Sequence, residues 1–300
     1  IPEPGSWGHA IGGMGAITQA MARAAEAAGV EIEVDAPVAE VLVEGNKATG
    51  VRLHDGRTIT ARSVAANVNP KLLFLNLLAE GNVEPAFRRR MENWRCKSGT
   101  LRMNVALGEL PDFTALPGTE LAEHHQSGIV IGPSTQYLDT AYVDARRHGW
   151  SKRPFVEVLI PSTIDDTLAP PGNHVASLFC QHFDPDLPDG MHWDDVREQA
   201  ADAAGDAVTA FAPNFRDAII ARQILTPLDL ERQFGLIGGD IFHGALDLNQ
   251  LYSLRPTLGH ADYRMPIEGL YLCCSGAHPG GGVTGIPGHN AARKIIRDIG

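Results

Sequence analysis

Six glycines and two prolines fall between Gly276 and Gly288, a density that few local structures can absorb. The apolar run Leu270 to Cys274 precedes them, and Asn290 to Ile299 follows with the apolar spacing of a helix. The pattern predicts strand, glycine loop and helix. Without Cβ atoms the loop backbone can approach a bound group closely. Amides at the helix start then point at that group, and the helix dipole favours negative charge there. A phosphate or an electron-rich ring suits such a place. The plainer reading, a loop made of glycine only for tight strand-to-helix packing, needs one or two glycines rather than six.

Gly280-Gly-Gly282-Val-Thr-Gly285 also satisfies G-x-G-x-x-G. A dinucleotide fold needs a second strand after the helix and an acidic residue about 20 positions on. With Gly300 as the last residue, the motif is expected not to open such a fold.

The stretch Tyr271-Leu-Cys-Cys-Ser-Gly-Ala-His-Pro-Gly-Gly-Gly-Val-Thr-Gly-Ile-Pro-Gly-His-Asn-Ala-Ala292 resembles the C-terminal flavin-binding signature of the phytoene desaturase-like FAD oxidoreductases. The resemblance extends through Gly12-Gly-Met-Gly-Ala16, Ile160-Pro-Ser162, Leu168-Ala-Pro-Pro-Gly172 and Leu225-Thr-Pro-Leu-Asp-Leu-Glu231. It continues in Asp240-Ile-Phe-His-Gly-Ala245 and Leu251-Tyr-Ser-Leu-Arg-Pro256. It implies an α/β and α+β architecture: an incomplete FAD-binding, GR2-like domain of the NAD(P)-binding Rossmann type, with an antiparallel-sheet substrate lobe. The expected division is 1–69 for the middle of the FAD domain, 70–247 for the substrate lobe, and 248–300 for the C-terminal part with the flavin signature.

The resemblance implies FAD as cofactor, held by Val38, Asn67, Gly276, Ala277, His278, Pro279, Gly280, Gly281, Gly282, Val283, Thr284 and Gly285. From spacing alone Val38 reads as core. The implied chemistry is hydride transfer from an apolar, polyene-like substrate to flavin N5, which needs no strong acid or base beyond the flavin. No catalytic residue is assigned. His278, Arg255 and His243 are the polar candidates, and each has a bland alternative: for Arg255 a turn-fixing salt bridge, for His278 a structural place in the loop. Two departures stand out. The family's opening βαβ unit, which cradles the FAD pyrophosphate, does not precede Ile1, so the chain is expected to be a C-terminal portion that binds FAD weakly or not at all without a missing N-terminal lobe. Cys274 stands where the signature usually has glycine, and could crowd the sheet or the cofactor.

Composition narrows the remaining classes. Hydrophobic residues at 44% and charged residues at 20% are ordinary for a globular chain. A net charge of -11, with no basic cluster beyond Arg88-Arg-Arg90, argues against a nucleic-acid partner. The arginine triplet reads as the solvated side of a helix. No stretch has the length and apolarity of a membrane span. Cys96, Cys180, Cys273 and Cys274 form neither a disulfide framework nor a C-x-x-C motif, which fits a reducing compartment, cytoplasmic or, by family resemblance, mitochondrial. No histidine spacing suggests a metal site.

Residues 1–11 read as a proline- and glycine-bearing approach. A helix is predicted over 12–28, with Ile17, Met21, Ala24 and Ala28 on one stripe. Strands are predicted over 30–34, 38–43, 49–53, 58–60 and 63–67, the middle three as a meander. The central segment is predicted to place helices at 71–79, 85–94, 135–147 and 193–211, and strands at 100–107, 128–131, 155–160 and 174–183. Asp165-Asp166 and Asp194-Asp195 read as helix caps or solvated carboxylates rather than acid/base pairs. Met103, Met191, Phe179, Phe183 and Phe242 could line an apolar pocket, with core packing as the default. The reading from another class is a non-enzymatic interaction or dimerisation module. Apolar surface left by the missing lobe predicts self-association of the chain.

Overall fold

The computed structural model describes residues 8–97 and 99–300, so most of the predicted 1–11 approach lies outside the described residues. The chain divides into two compact units: the segment ending at Ile32 with Gly99–Asp229, and Glu33–Ser98 with Leu230–Gly300. Residues 70–97 and 230–247, read from sequence as part of the central lobe, group with the second unit.

The first helix, α1 (Met14–Ala27), forms as its alanine content predicts, and Gly29 follows it in the left-handed region with φ 87°. Its apolar stripe is not a core face. No residue of α1 is buried, and Ile17 and Met21 are exposed. The predicted strand at 30–34 is absent, because alternation alone makes no strand without a ladder partner, and Val34 is exposed.

In the second unit β1 (Val38–Glu44), β2 (Lys47–Leu53) and β3 (Thr58–Thr60) form the predicted antiparallel meander. Next comes β4 (Val64–Ala66). Asn69 then caps the following turn, its Oδ1 accepting the Lys71 amide at 2.8 Å. The helix predicted at 71–79 is a π-helix, Leu72–Leu77, which buries the adjacent Leu73 and Phe74 together. Phe74 meets Phe87 of α2 (Pro85–Glu92) edge-on at 4.7 Å.

The first unit is a five-stranded antiparallel sheet of β5 (Thr100–Leu107), β6 (Ile129–Ile131), β7 (Trp150–Leu159), β8 (His174–Phe183) and β9 (Ile219–Leu225), in the order β6-β7-β8-β5-β9. Strand β7 begins five residues before its prediction. Its register breaks between Trp150 and Phe155, where Pro154 has no amide to donate. Between these strands lie α3 (Thr135–His148), capped by Ser134 at one end and Gly149 at the other, α4 (Trp193–Thr209) and the short α5 (Phe215–Ala218). One sheet face, with Met103, Val105, Val158 and Leu178, packs on Ala200, Ala204 and Val208 of α4. Met103 and Phe183 are therefore core, as the default held, and Met191 packs against that core. Sequence reading missed β9. Its exposed residues include Arg222 and Gln223, and a polar edge strand hides the alternation that would betray it.

The chain then runs through α6 (Pro227–Phe234), capped reciprocally by Thr226 and Asp229, to β10 (Leu270–Leu272) and α7 (Ile286–Ile299). Strand β10 pairs parallel with β4, Leu272 opposite Ala66. Asp298 anchors the far end of α7, its Oδ2 accepting from Arg264 Nε at 2.7 Å and from the Tyr271 hydroxyl at 2.9 Å.

Arg255 organises the interior of this unit. It is fully buried, with all five N–H groups directed at backbone carbonyls. Nε donates to Ser275 at 2.9 Å, Nη1 to Gln250 at 3.0 Å and Ala245 at 3.5 Å, and Nη2 to Phe242 at 2.7 Å and Gly244 at 3.2 Å. Its guanidinium lies 5.5 Å from the Trp94 ring centroid.

Replacing Arg255 leaves several buried carbonyls without donors. We expect Arg255→Met to destabilise the chain by about 3 kcal/mol or more, and Arg255→Lys, with three donors, by less. Chemical denaturation measures both, and an unchanged midpoint for Arg255→Met contradicts the account. For Asp298, the bonds from Arg264 and Tyr271 hold its carboxyl below the ordinary carboxylate range despite the opposing effect of burial. A depressed carboxylate contributes stability above its unfolded pKa and loses it as pH falls through the folded one. Asp298→Asn should therefore lower Tm near neutrality, and the difference from wild type should shrink below about pH 4.

Candidate flavin-facing site

Parallel strands release their loops at their carboxyl ends, and ligands of open α/β sheets bind in that crevice. In the second unit those ends are Asn67, after β4, and Cys273, after β10, joined where the Cys273 amide donates to the Ala66 carbonyl at 3.0 Å. Asn67 is exposed there. The loop 273–285 leaves from the same edge. Val38 sits at the start of β1, half-buried and paired with Leu53. That pair is at the opposite end of the meander from Lys47, which bridges to Glu268 ahead of β10.

The glycine loop has two halves. From Cys274 to Gly280 it is mostly buried and its glycines answer to the protein itself. A Cβ on Gly276 would come within 2.6 Å of the Pro70 ring, and one on Gly281 within 2.6 Å of Phe242. Gly280 has φ 105° and lies beside the Arg255 guanidinium. Cys274 does not crowd a ligand. Its side chain is in the core, its Sγ accepts the Gly276 amide at 3.1 Å, and burial pushes its thiol up to about 12.

From Gly282 to Ile286 the loop is exposed. Gly282, Val283 and Gly285 all have positive φ, at 114°, 56° and 69°. For a β-branched residue such as Val283 this is a strained backbone. Gly285 is the N-cap of α7, so the helix starts one turn earlier than its apolar spacing indicates. Pro287 in the first turn fits, since an orphan amide is not needed there. The shift brings the helix N-terminus into the glycine loop itself. Gly288 is the informative position. Its φ is not positive, and a Cβ built on it meets nothing within 4 Å. Nothing among the described residues therefore demands glycine at this helical position, where it costs about 1 kcal/mol against alanine.

Around the loop, Tyr263 links its two ends. The hydroxyl donates to the His278 carbonyl at 2.8 Å and accepts from Asn290 Nδ2 of α7 at 2.9 Å. The His278 ring lies 6.1 Å from that of Tyr252. His243 has φ 56°, and its buried Nδ1 has no hydrogen-bond partner among the described residues. Burial, then the nearby Arg255 charge, lowers its pKa and keeps the imidazole neutral. The His243 carbonyl accepts from Trp94 Nε1 at 2.9 Å. Asp240 is fully buried and burial raises its pKa, while its Oδ2 has no partner among the described residues. Arg255 has no N–H left to offer a ligand. It ties turns together through backbone carbonyls, and the salt bridge of its bland reading is not found among the described residues. Tyr263, Trp94 and Gln250 escaped the sequence reading because each acts through backbone carbonyls of distant segments, a partnership with no local pattern. Asp165 proves to be a cap, accepting from the Thr167 hydroxyl and the Gly12 amide, both at 2.6 Å. No metal-binding group of His, Cys, Asp or Glu is found among the described residues.

Residues 4–98 match the family of flavin-containing amine oxidoreductases. Over 98% of its length the chain is 43% identical to pyridine nucleotide-disulfide oxidoreductase domain-containing protein 2 of Mus musculus, covering 52% of that protein. It is 28% identical to the lycopene-forming phytoene desaturase of Pseudescherichia vulneris, over 92% of this chain and 53% of the relative. Among solved structures, an oxidoreductase from Methanosarcina mazei has the same fold over 96% of this chain and 55% of its own, with a TM-score of 0.60 at 18% identity. The chain spans about half the length of the curated relatives it matches. Across nearly all of its own length the chain is thus similar to phytoene desaturase-like oxidoreductases, and its residues 4–98 match the flavin-containing amine oxidoreductases.

Proposed function

We propose that this chain provides the flavin-facing and substrate-facing portions of an FAD-dependent oxidoreductase that dehydrogenates an apolar substrate. The observation that carries the reading is one loop, 273–285, that runs from the carboxyl end of β10, paired in parallel with β4, to the N-terminus of α7 at Gly285, where a Cβ on Gly285 or Gly288 would meet nothing within 4 Å. The cradle fits a flat, electron-rich group. A side chain at Gly288 would occupy room that the chain itself leaves unfilled.

FAD, when bound, supplies the redox chemistry by taking a hydride at N5. The amides of Val283, Thr284 and Gly285 would hold the electron-rich edge of its ring, and the positive end of α7 would favour negative charge there without reorganisation. Asn67 would lie at the same crevice from the β4 side. His243, kept neutral by burial, would bring no charge to the apolar substrate, the Arg255 cation is turned onto backbone carbonyls, and the buried thiol of Cys274, held protonated, offers no dithiol chemistry.

Gly288→Ala separates this reading from a packing role. Alanine is the better helix former, so it should raise stability by about 0.5–1 kcal/mol. Flavin affinity, followed by FAD fluorescence quenching in a polypeptide extended at its amino end to the length of its relatives, should fall. The shorter chain, lacking that extension, should quench FAD weakly. Equal affinity of the Gly288→Ala variant, or no quenching by the extended wild type, counts against the reading.

The second reading, an interaction module, is favoured by α1, whose Met14, Ile17 and Met21 are all exposed. It predicts self-association of the 300-residue chain, reduced by Ile17→Glu with Met21→Glu. Light scattering showing a monomer at high concentration opposes it.

A further inference from the structure

The arginine triplet Arg88-Arg-Arg90 is not simply a solvated face. Arg88 is paired, with Glu92 at 3.4 Å and Glu80 at 3.9 Å. Arg89 and Arg90 have no carboxylate within 4 Å among the described residues. Both line a concavity of about 440 Å³ in the second unit. Helical spacing explains the near wall: Ala86, Arg89, Arg90 and Asn93 follow i, i+3, i+4 and i+7 along one face of α2, with the small Ala86 leaving room. The opposite wall comes from the segment 249–258, with Asn249 and the Thr257 hydroxyl among its polar groups. No lining residue is acidic, although the whole chain carries a net charge of -11.

Arginines in the last turn of a helix answer its dipole wherever they occur. That alone accounts for their presence in α2. It does not account for a concavity of ligand size with two unpaired guanidinium groups on one wall, Asn249 and Thr257 on the other and no carboxylate. Guanidinium forks match phosphate oxygens in pairs, and two of them on adjacent residues suit a group with several anionic oxygens.

We propose that this concavity binds a small phosphate-bearing anion of pyrophosphate class, held by Arg89 and Arg90. It shares no residue with the glycine loop, so the proposal does not rest on the flavin reading.

Inorganic pyrophosphate is the probe, titrated calorimetrically into the 300-residue chain at low salt. One saturable site per chain is expected in the range up to millimolar. Arg89→Ala with Arg90→Ala should weaken it at least about tenfold. Both side chains are exposed, so the double variant should retain the fold, which circular dichroism checks. Arg147→Ala, which removes a cation from an exposed position in the first unit, should change affinity less than about twofold. Absence of saturable binding, an equal loss in Arg147→Ala, full binding by the folded double variant, or tighter binding of citrate than of pyrophosphate would each overturn the proposal.

Discussion

A single buried cation holds the second unit in register. Desolvating a guanidinium is expensive, and the expense is offset only when every N–H finds an acceptor. Arg255 meets that condition with carbonyls from residues 242, 244, 245, 250 and 275. Carbonyls of four residues between Phe242 and Gln250 and of Ser275, three residues past β10, are thereby drawn to one point. Neighbouring constraints follow from it. A Cβ on Gly244 would lie 2.3 Å from the Trp94 ring, which in turn flanks the guanidinium. Asp240 sits close enough for its charge to favour the cation, though burial governs the carboxyl itself.

The glycines of the loop therefore have two different causes. Gly276 and Gly281 are where Pro70 and Phe242 press against the backbone, and any flavoprotein-like loop packed this way would need them. Gly282, Gly285 and Gly288 have no such neighbour within contact distance, apart from a methyl of Thr284 at 3.7 Å from Gly282. A count of glycines in sequence merges the two sets. Only the geometry separates the half that packs from the half that faces outward.

Much of the architecture was legible because it rests on short-range pattern. The meander from Val38, the strand before the loop and the alternation of β5 and β8 all report themselves in consecutive residues. What escaped depends on partners remote in sequence. The stripe of α1 has the spacing of a core face but no core residue to meet. Residues 30–34 alternate without a ladder. Strand β9 reveals itself only by pairing with β5. The start of α7 was obscured by glycine and proline, residues that usually end helices and here begin one. At the site, Asn67 and the glycine loop were read together from family resemblance, and parallel pairing of β4 with β10 supplies the physical reason for their proximity. The role of Arg255 could not be read, since backbone carbonyls have no residue type.

The pairing of β4 with β10 also sets an order of events. The two strands stand about two hundred residues apart, whereas the strands of the five-stranded sheet all lie between Thr100 and Leu225. During synthesis that sheet can close on contacts already made, while β4 waits for a partner not yet translated. Leu73, Phe74 and Phe87, buried in the finished unit beside residues 263–291, remain uncovered through that interval. The nascent chain thus carries a completed lobe and an unfinished one, whose apolar residues stay open to water until Leu270–Leu272 emerges.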